Sequence, residues 1–199
     1  MKPMLEMIKL LRNETGVGVM DCRKALEESE MDYDRALAAL REKAALKAAK
    51  QADRQALEGR IELYSHSNGR IGIMVEVNTE TEFASRSEIF RHFVHEMALQ
   101  IAAAAPLYVR EADIPQAVLD EEAGAAADKA RQAGKPERLI ERIVEGALEK
   151  YRDRHVLLRQ PYIRNEEMTV AQLLNQAVQQ TGENILIRRF VRWEICPET

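Results

Sequence analysis

The run Arg70-Ile71-Gly72-Ile73-Met74-Val75-Glu76-Val77-Asn78-Thr79-Glu80-Thr81-Glu82-Phe83-Ala84-Ser85-Arg86-Ser87-Glu88 changes period halfway along, and that change decides the fold. From Arg70 to Asn78, Ile71, Ile73, Val75 and Val77 share one face while Gly72, Met74, Glu76 and Asn78 share the other, the pattern of a strand. Beyond it Phe90, Phe93, Val94, Met97 and Ile101 recur at helical spacing. Ser85 and Glu88 make a capping-box pattern that starts this helix at Ser85 or earlier. Phe83 lies between strand and helix. Its ring either folds back under the sheet edge or is held out for a partner, and an outward phenylalanine forgoes up to ~1.5–3 kcal/mol of burial. With Ser85 as the cap, Phe83 stands two residues outside the helix and Ala84 takes the usual staple position, so both alternatives stay open.

Outward from this run, Ile61 to Ser65 reads as a preceding strand joined through the turn signal Ser67-Asn68-Gly69. Ile185, Ile187, Val191, Trp193 and Ile195 mark a third strand in which Arg189 is the odd member. A hairpin followed by a helical run, rather than strict alternation of strand and helix, predicts an α+β fold. Pro106 ends the helix that follows the hairpin. Two more helices, about Gln116 to Gln132 and Pro136 to Arg152, meet at Gly134-Lys135-Pro136, where glycine closes one and proline opens the next. A last helix, about Val170 to Gln180, leads through Gly182 into the final strand. Upstream, residues 4–43 read as three short helices, with Leu5, Ile8 and Leu11, then Cys22, Ala25 and Leu26, then Ala36, Leu37 and Leu40 as apolar positions. Thr15-Gly16 and Glu30-Met31-Asp32 separate them, and Asp32 is suited to cap the third. Lys43 to Leu57 is alanine-rich and helical by propensity, with Gly59 expected to end it. The expected organisation is a three-helix module (1–43), a helical connector (44–58) and a core (59–199) of a three-stranded antiparallel sheet packed with helices, containing a helical hairpin at about 116–152.

Of 199 residues, 46% are hydrophobic and 31% charged, the balance of a soluble globular chain, and no apolar stretch approaches a membrane span. Glu6 and Lys9 interrupt the first apolar residues, so no signal peptide is expected and the cytoplasm is the default compartment. A net charge of −4 argues against gripping nucleic-acid phosphates as the main task. Cys22 and Cys196 make no metal-ligand spacing, although Cys196 is placed to cross-link two chains. The two glycines of Thr15-Gly16-Val17-Gly18 follow no strand and precede no Gly-Lys-Ser/Thr, so they fail as a phosphate cradle. They make a turn that aims Val19 and Met20, either into the three-helix core or at a partner. His92 and Glu96, four apart beside His95, have a metal-like spacing, but a solvated face opposite the Phe90/Phe93/Met97 stripe explains them. Arg188, Arg189 and Arg192 form a basic cluster that either meets a phosphate or a partner carboxylate or, more simply for the alternate residues Arg188 and Arg192, belongs to a solvent face of their strand. No nucleophile, base or carboxylate pair stands out, so neither a catalytic site nor a cofactor is expected.

Several segments together resemble one family, the translation elongation factors Ts. Leu11-Arg12-Asn13-Glu14-Thr15-Gly16-Val17-Gly18-Val19-Met20-Asp21-Cys22-Arg23-Lys24-Ala25-Leu26 is similar to its first signature, and Val75 to Arg86 resembles its second. Gly134-Lys135-Pro136-Glu137, Ile143-Val144-Glu145-Gly146, Gln160-Pro161-Tyr162 and Gly182-Glu183-Asn184 to Arg188-Arg189-Phe190 match further patterns in order, so the likeness covers nearly the whole chain.

The resemblance implies a guanine-nucleotide exchange factor for the GTPase elongation factor Tu, binding no nucleotide itself. It implies that the first three helices form a module of ubiquitin-associated type whose signature turn rests on the GTPase through Arg12, Val19 and Met20. It further implies that Glu82 and Phe83 press between helices of the GTPase and disturb its magnesium site and phosphate loop. Three positions depart from the family. Glu82-Phe83-Ala84 stands where Asp-Phe-Val is usual, which sets the carboxylate one methylene farther out and removes the bulk of a valine. Gln100 aligns with a histidine of many members, and Val191 with a cysteine of some short ones. Short members resemble half of a two-lobed core, which a homodimer would restore. A non-catalytic protein-binding adaptor is the alternative reading.

Overall fold

The computed structural model describes residues 3–15, 17–52, 55–66 and 69–195. It is an α+β structure whose helices and strands fall into two compact units. The first draws on Met1–Arg60, Asn78–Phe93 and Leu174–Leu186, the second on Ile61–Val77, Val94–Leu173 and Ile187–Thr199.

In the first unit, helices α1 (Met4–Thr15), α2 (Val19–Glu28) and α3 (Tyr33–Ala52) enclose a small core of Met7, Ile8, Leu11, Cys22, Ala25, Leu26, Ala36 and Leu40. Leu5 is exposed and Met7 takes its place, so the buried face of α1 runs 7, 8, 11 rather than 5, 8, 11. Asp32 caps α3 as expected, its carboxylate accepting from the Arg35 N–H at 3.1 Å. The turn before it places Glu30 and Met31 at φ 54° and 67°, a left-handed conformation that non-glycine residues adopt only under constraint. Packing of the Met31 side chain against the core supplies that constraint. Through the alanine-rich stretch α3 continues to Ala52. Gly59 does not end a helix. It lies inside strand β1 (Glu58–His66) with φ 151°.

Strands β1, β2 (Ile71–Thr79) and a C-terminal strand at Ile185–Glu194 form an antiparallel sheet in which β2 is central. Of the expected turn Ser67-Asn68-Gly69, the first two residues lie outside the described residues, and Gly69 takes φ 81°. Ile73, Val75 and Val77 are buried as their alternation predicts. The chain then makes a one-turn helix α4 (Glu82–Arg86) and the long helix α5 (Glu88–Ala104). Within the second unit, α5 lies on the sheet: His95 meets Glu62 of β1 at 3.2 Å, and the Arg192 guanidinium donates to the Ala102 carbonyl at 3.4 Å. Arg192 is therefore half-buried against the helix and not on the solvent face expected of it.

Helices α6 (Gln116–Gln132) and α7 (Glu137–His155) form the helical hairpin. Gly134 at φ 67° and Pro136 at the α7 N-cap make the joint that their sequence order predicts. Strands β3 (Pro161–Tyr162) and β4 (Asn165–Thr169), a short antiparallel pair, precede α8 (Val170–Thr181), and Gly182 at φ 74° turns the chain into β5 (Ile185–Glu194).

Candidate partner-contact site

The distinguishing local feature is α4, a helix too short to be stable by its own hydrogen bonds. Capping at both ends holds it. Thr81, in extended conformation, is the N-cap, and its hydroxyl accepts from the Ala84 N–H at 3.2 Å. Ser87 ends the turn, its N–H donating to the Ala84 carbonyl at 3.0 Å, while its hydroxyl accepts from the Phe90 N–H at 3.2 Å and so caps α5. The expected cap, Ser85, is instead inside α4 and donates to the Glu82 carbonyl at 2.7 Å. The sequence offered four hydroxyl residues within nine positions, and the two adjacent to backbone bends took the capping roles.

Ala84 is the buried side of this turn, 5% exposed, and its small side chain seats α4 against the unit. Phe83 consequently points away and is 87% exposed, which rules out the folded-back alternative in this chain. The valine-to-alanine departure thus concerns the seat of the helix, not the bulk of the exposed edge. Glu82 pairs with Arg86 one turn on, Nη2 to Oε1 at 2.5 Å, with both side chains largely exposed. A groove of about 370 Å³ runs beside Glu82, walled by Arg60, Arg86, Arg91 and Glu58.

The other expected contact residues stand at the start of α2. Val19 and Met20 are 45% and 74% exposed while Cys22, Ala25 and Leu26 face the core, and Arg12 is exposed near the end of α1. All five expected site residues belong to the first unit, in two groups: Arg12, Val19 and Met20 on the three helices, Glu82 and Phe83 on α4. Cys22 is unsuited to reaction. Burial pushes its thiol pKa up, and its Sγ lies 3.6 Å from the Val17 carbonyl, to which it donates.

The histidine-rich turn of α5 does not assemble into a site. His92 is exposed and His95 turns to Glu62, but Glu96 is buried, contrary to the solvated face expected for it. Its carboxylate accepts from the Tyr162 hydroxyl at 2.5 Å and from Arg164 Nε at 2.6 Å. Burial and then that hydrogen bond push the Tyr162 pKa up to about 12. No His/Cys/Asp/Glu group able to hold a metal occurs among the described residues. Gln100 is fully buried: it donates to the Gln160 side chain and the Pro161 carbonyl and accepts from the Ile163 N–H at 2.9 Å. That position ties α5 to the β3–β4 segment and has no surface to offer a partner. Arg189 pairs with Glu76 at 2.7 Å. Sequence reasoning missed Glu183, which receives three hydrogen bonds from Thr79 and Thr81; an acidic residue directly after a turn glycine was its only local signal.

Phe83 is thus an exposed aromatic on a doubly capped turn beside a charged groove. The family model described as Elongation factor TS matches residues 19–197. Elongation factor Ts of Thermoanaerobacter sp. (strain X514) is 50% identical over 187 residues, 94% of this chain and 92% of that protein. Elongation factor Ts of Caldanaerobacter subterraneus subsp. tengcongensis is likewise 50% identical, over 94% of each chain, and that of Carboxydothermus hydrogenoformans 47% identical over 96% of this chain and 88% of its own. The chain belongs to the elongation factor Ts family.

Proposed function

We propose that this chain is a guanine-nucleotide exchange factor for elongation factor Tu, and that Glu82 and Phe83 form the wedge by which it promotes GDP release. The observation that carries this reading is the 87% exposure of Phe83 on a turn whose only buried side chain is Ala84. A GTPase holds its diphosphate with backbone N–H groups, a lysine and magnesium, so a partner that distorts those contacts lowers nucleotide affinity. By reciprocity, the nucleotide loosens the partner, and incoming GTP displaces it. The factor acts by binding energy alone, in the cytoplasm, with no cofactor, chemical step, nucleic acid or membrane. No helix among the described residues is long and apolar enough to cross a membrane. Arg12, Val19 and Met20 supply a second contact from the module of residues 1–43, joined by the connector 44–58 to the core 59–199.

We also infer a homodimer formed through the open face of the sheet in the second unit. Glu62 and Tyr64 of β1 meet His95, and Arg192 of β5 meets Ala102, so the alternate residues Ile61, Leu63, Val191 and Trp193 face away from α5. Leu63 and Trp193 are 69% and 75% exposed, apolar area of the kind a second copy covers. Cys196 lies outside the described residues. The deciding assay is release of labelled GDP from elongation factor Tu with this chain at catalytic amounts. Acceleration is expected; complex formation without acceleration would leave only an adaptor.

A further inference from the structure

The turn between α8 and β5 reaches the same short helix from behind, within the first unit. Glu183 Oε2 accepts from the Thr79 hydroxyl and the Thr81 N–H, each at 3.0 Å, and Oε1 accepts from the Thr81 hydroxyl at 2.6 Å. In return, the Asn184 N–H donates to Glu80 Oε1 at 2.6 Å. A hydroxyl has one proton and two lone pairs. With the Thr81 proton directed to Glu183, its lone pairs are left for the Ala84 N–H, the first-turn amide of α4. The carboxylate thus sets the rotamer of the N-cap, and the N-cap sets the helix that carries Phe83. At the other end of the segment, Gln179 Nε2 donates to the carbonyl of Thr15, the last residue of α1 and four positions before Val19.

We propose that Gln179 to Asn184 is a bracket between the two contact elements, in which Glu183 is a positioning residue that aims Phe83 through the Thr81 cap. The inference rests on the exchange reading above. Three features mark the role as more than general stability. The three bonds of Glu183 are charge-assisted and converge on the two residues that lead into α4. The helix they direct is a single turn, with few hydrogen bonds of its own to fix its direction. Its neighbour in the bracket, Gln179, anchors to the segment that leads to Val19 and Met20, so one element sets the registry of both expected contacts. A wedge turned off its line meets the GTPase in the wrong geometry, and contacts made only in the nucleotide-free complex suffer most.

The test is labelled-GDP release from elongation factor Tu with the full chain and the variants E183A, E183Q, T81A, F83A and E183A/F83A, each with its thermal unfolding curve. E183A is expected to lower the exchange rate at saturating factor about tenfold, the effect of losing charge-assisted hydrogen bonds. E183Q should fall between E183A and the parent, because its amide oxygen keeps one acceptor for Thr81. T81A, at an exposed residue, breaks the relay at the cap while keeping the Glu183 carboxylate and its bonds from the Thr79 hydroxyl and the residue 81 N–H, and should reproduce the loss if E183A folds poorly. Adding E183A to F83A should cost much less than E183A costs the parent, since of the wedge only Glu82 is then left to aim. Losses that multiply in the double variant, or E183A and T81A working as the parent does while F83A is slow, would overturn the bracket alone. F83A at the parental rate would overturn the wedge reading instead.

Discussion

Replacing Phe83 with alanine separates folding from function because the two draw on different surfaces. In the free protein the ring is 87% exposed, so truncation removes almost no buried area, and the loss of stability should stay within ~0.5 kcal/mol. For a chain of this size that is a shift of under about 2 °C in Tm. Against the GTPase the arithmetic reverses. A ring that becomes fully covered there contributes about 1.5–3 kcal/mol, which is about 10–150-fold in the rate of GDP release at a fixed low concentration of factor. Two measurements on the same preparation decide the matter: differential scanning calorimetry of the free chain, and release of fluorescent GDP from elongation factor Tu. The expected pair of results is an unchanged melting curve and a loss of one to two orders of magnitude in exchange. A drop of several degrees in Tm would show that the ring supports the fold, and unchanged exchange would show that no partner covers it.

Met20→Ala removes an exposed side chain that is not part of α4, so it should raise the concentration for half-maximal exchange severalfold and leave the maximal rate unchanged, the mark of uniform binding; a lower maximal rate would place Met20 in the exchange step itself. Ala84→Val forces two methyl groups into the seat of α4 and should destabilise the chain by about 1–3 kcal/mol, visible as a lower Tm; a higher Tm would show spare volume there. Tyr162→Phe takes a hydroxyl donor from the buried Glu96 and should cost about 1–3 kcal/mol by urea unfolding, with no effect on exchange per folded molecule. Glu183 ties stability to pH. Burial alone would raise its pKa, but hydrogen bonds from the side chain and N–H of Thr81, then Thr79 and the Glu80 N–H, hold it below the usual 4.5. Its contribution is therefore complete above pH 4.5 and is lost as pH falls through the lowered value, so the stability gap between the parent and E183Q should be flat near neutrality and close in acid.

The strands and the long helices were legible because each buries a periodic apolar face, as Ile73, Val75 and Val77 do on β2 and Phe90, Phe93 and Met97 on α5. What escaped the sequence was decided by side chains that meet across long stretches of chain. Glu96 reads as one more polar residue on a helix, and only the return of Tyr162 and Arg164 some seventy positions later makes it a buried acceptor. Phe83 is the same problem inverted. Local pattern left it undecided, because the choice depends on which neighbour is seated, and that neighbour proved to be Ala84. The cap was misplaced for a related reason: Thr81, Ser85 and Ser87 are all competent caps, and the bonds of Glu183 to Thr81 help settle which one leads α4.

The Glu82 carboxylate, one methylene longer than the family's usual aspartate, already has a partner in Arg86 at 2.5 Å. If that pair were strong, it would hold the wedge's charge away from the GTPase. Both side chains are largely exposed, however, and i,i+4 pairs of this kind contribute only ~0.3–0.5 kcal/mol. One hydrogen bond to a charged group across the interface, at about 1.5–3 kcal/mol, outweighs it. The pair therefore restrains Glu82 in the free chain without committing it, and breaking it frees the Arg86 guanidinium in the groove that it lines with Arg60 and Arg91. The longer side chain is then compatible with the wedge role, because its extra reach is stored along the helix surface until a better donor is offered.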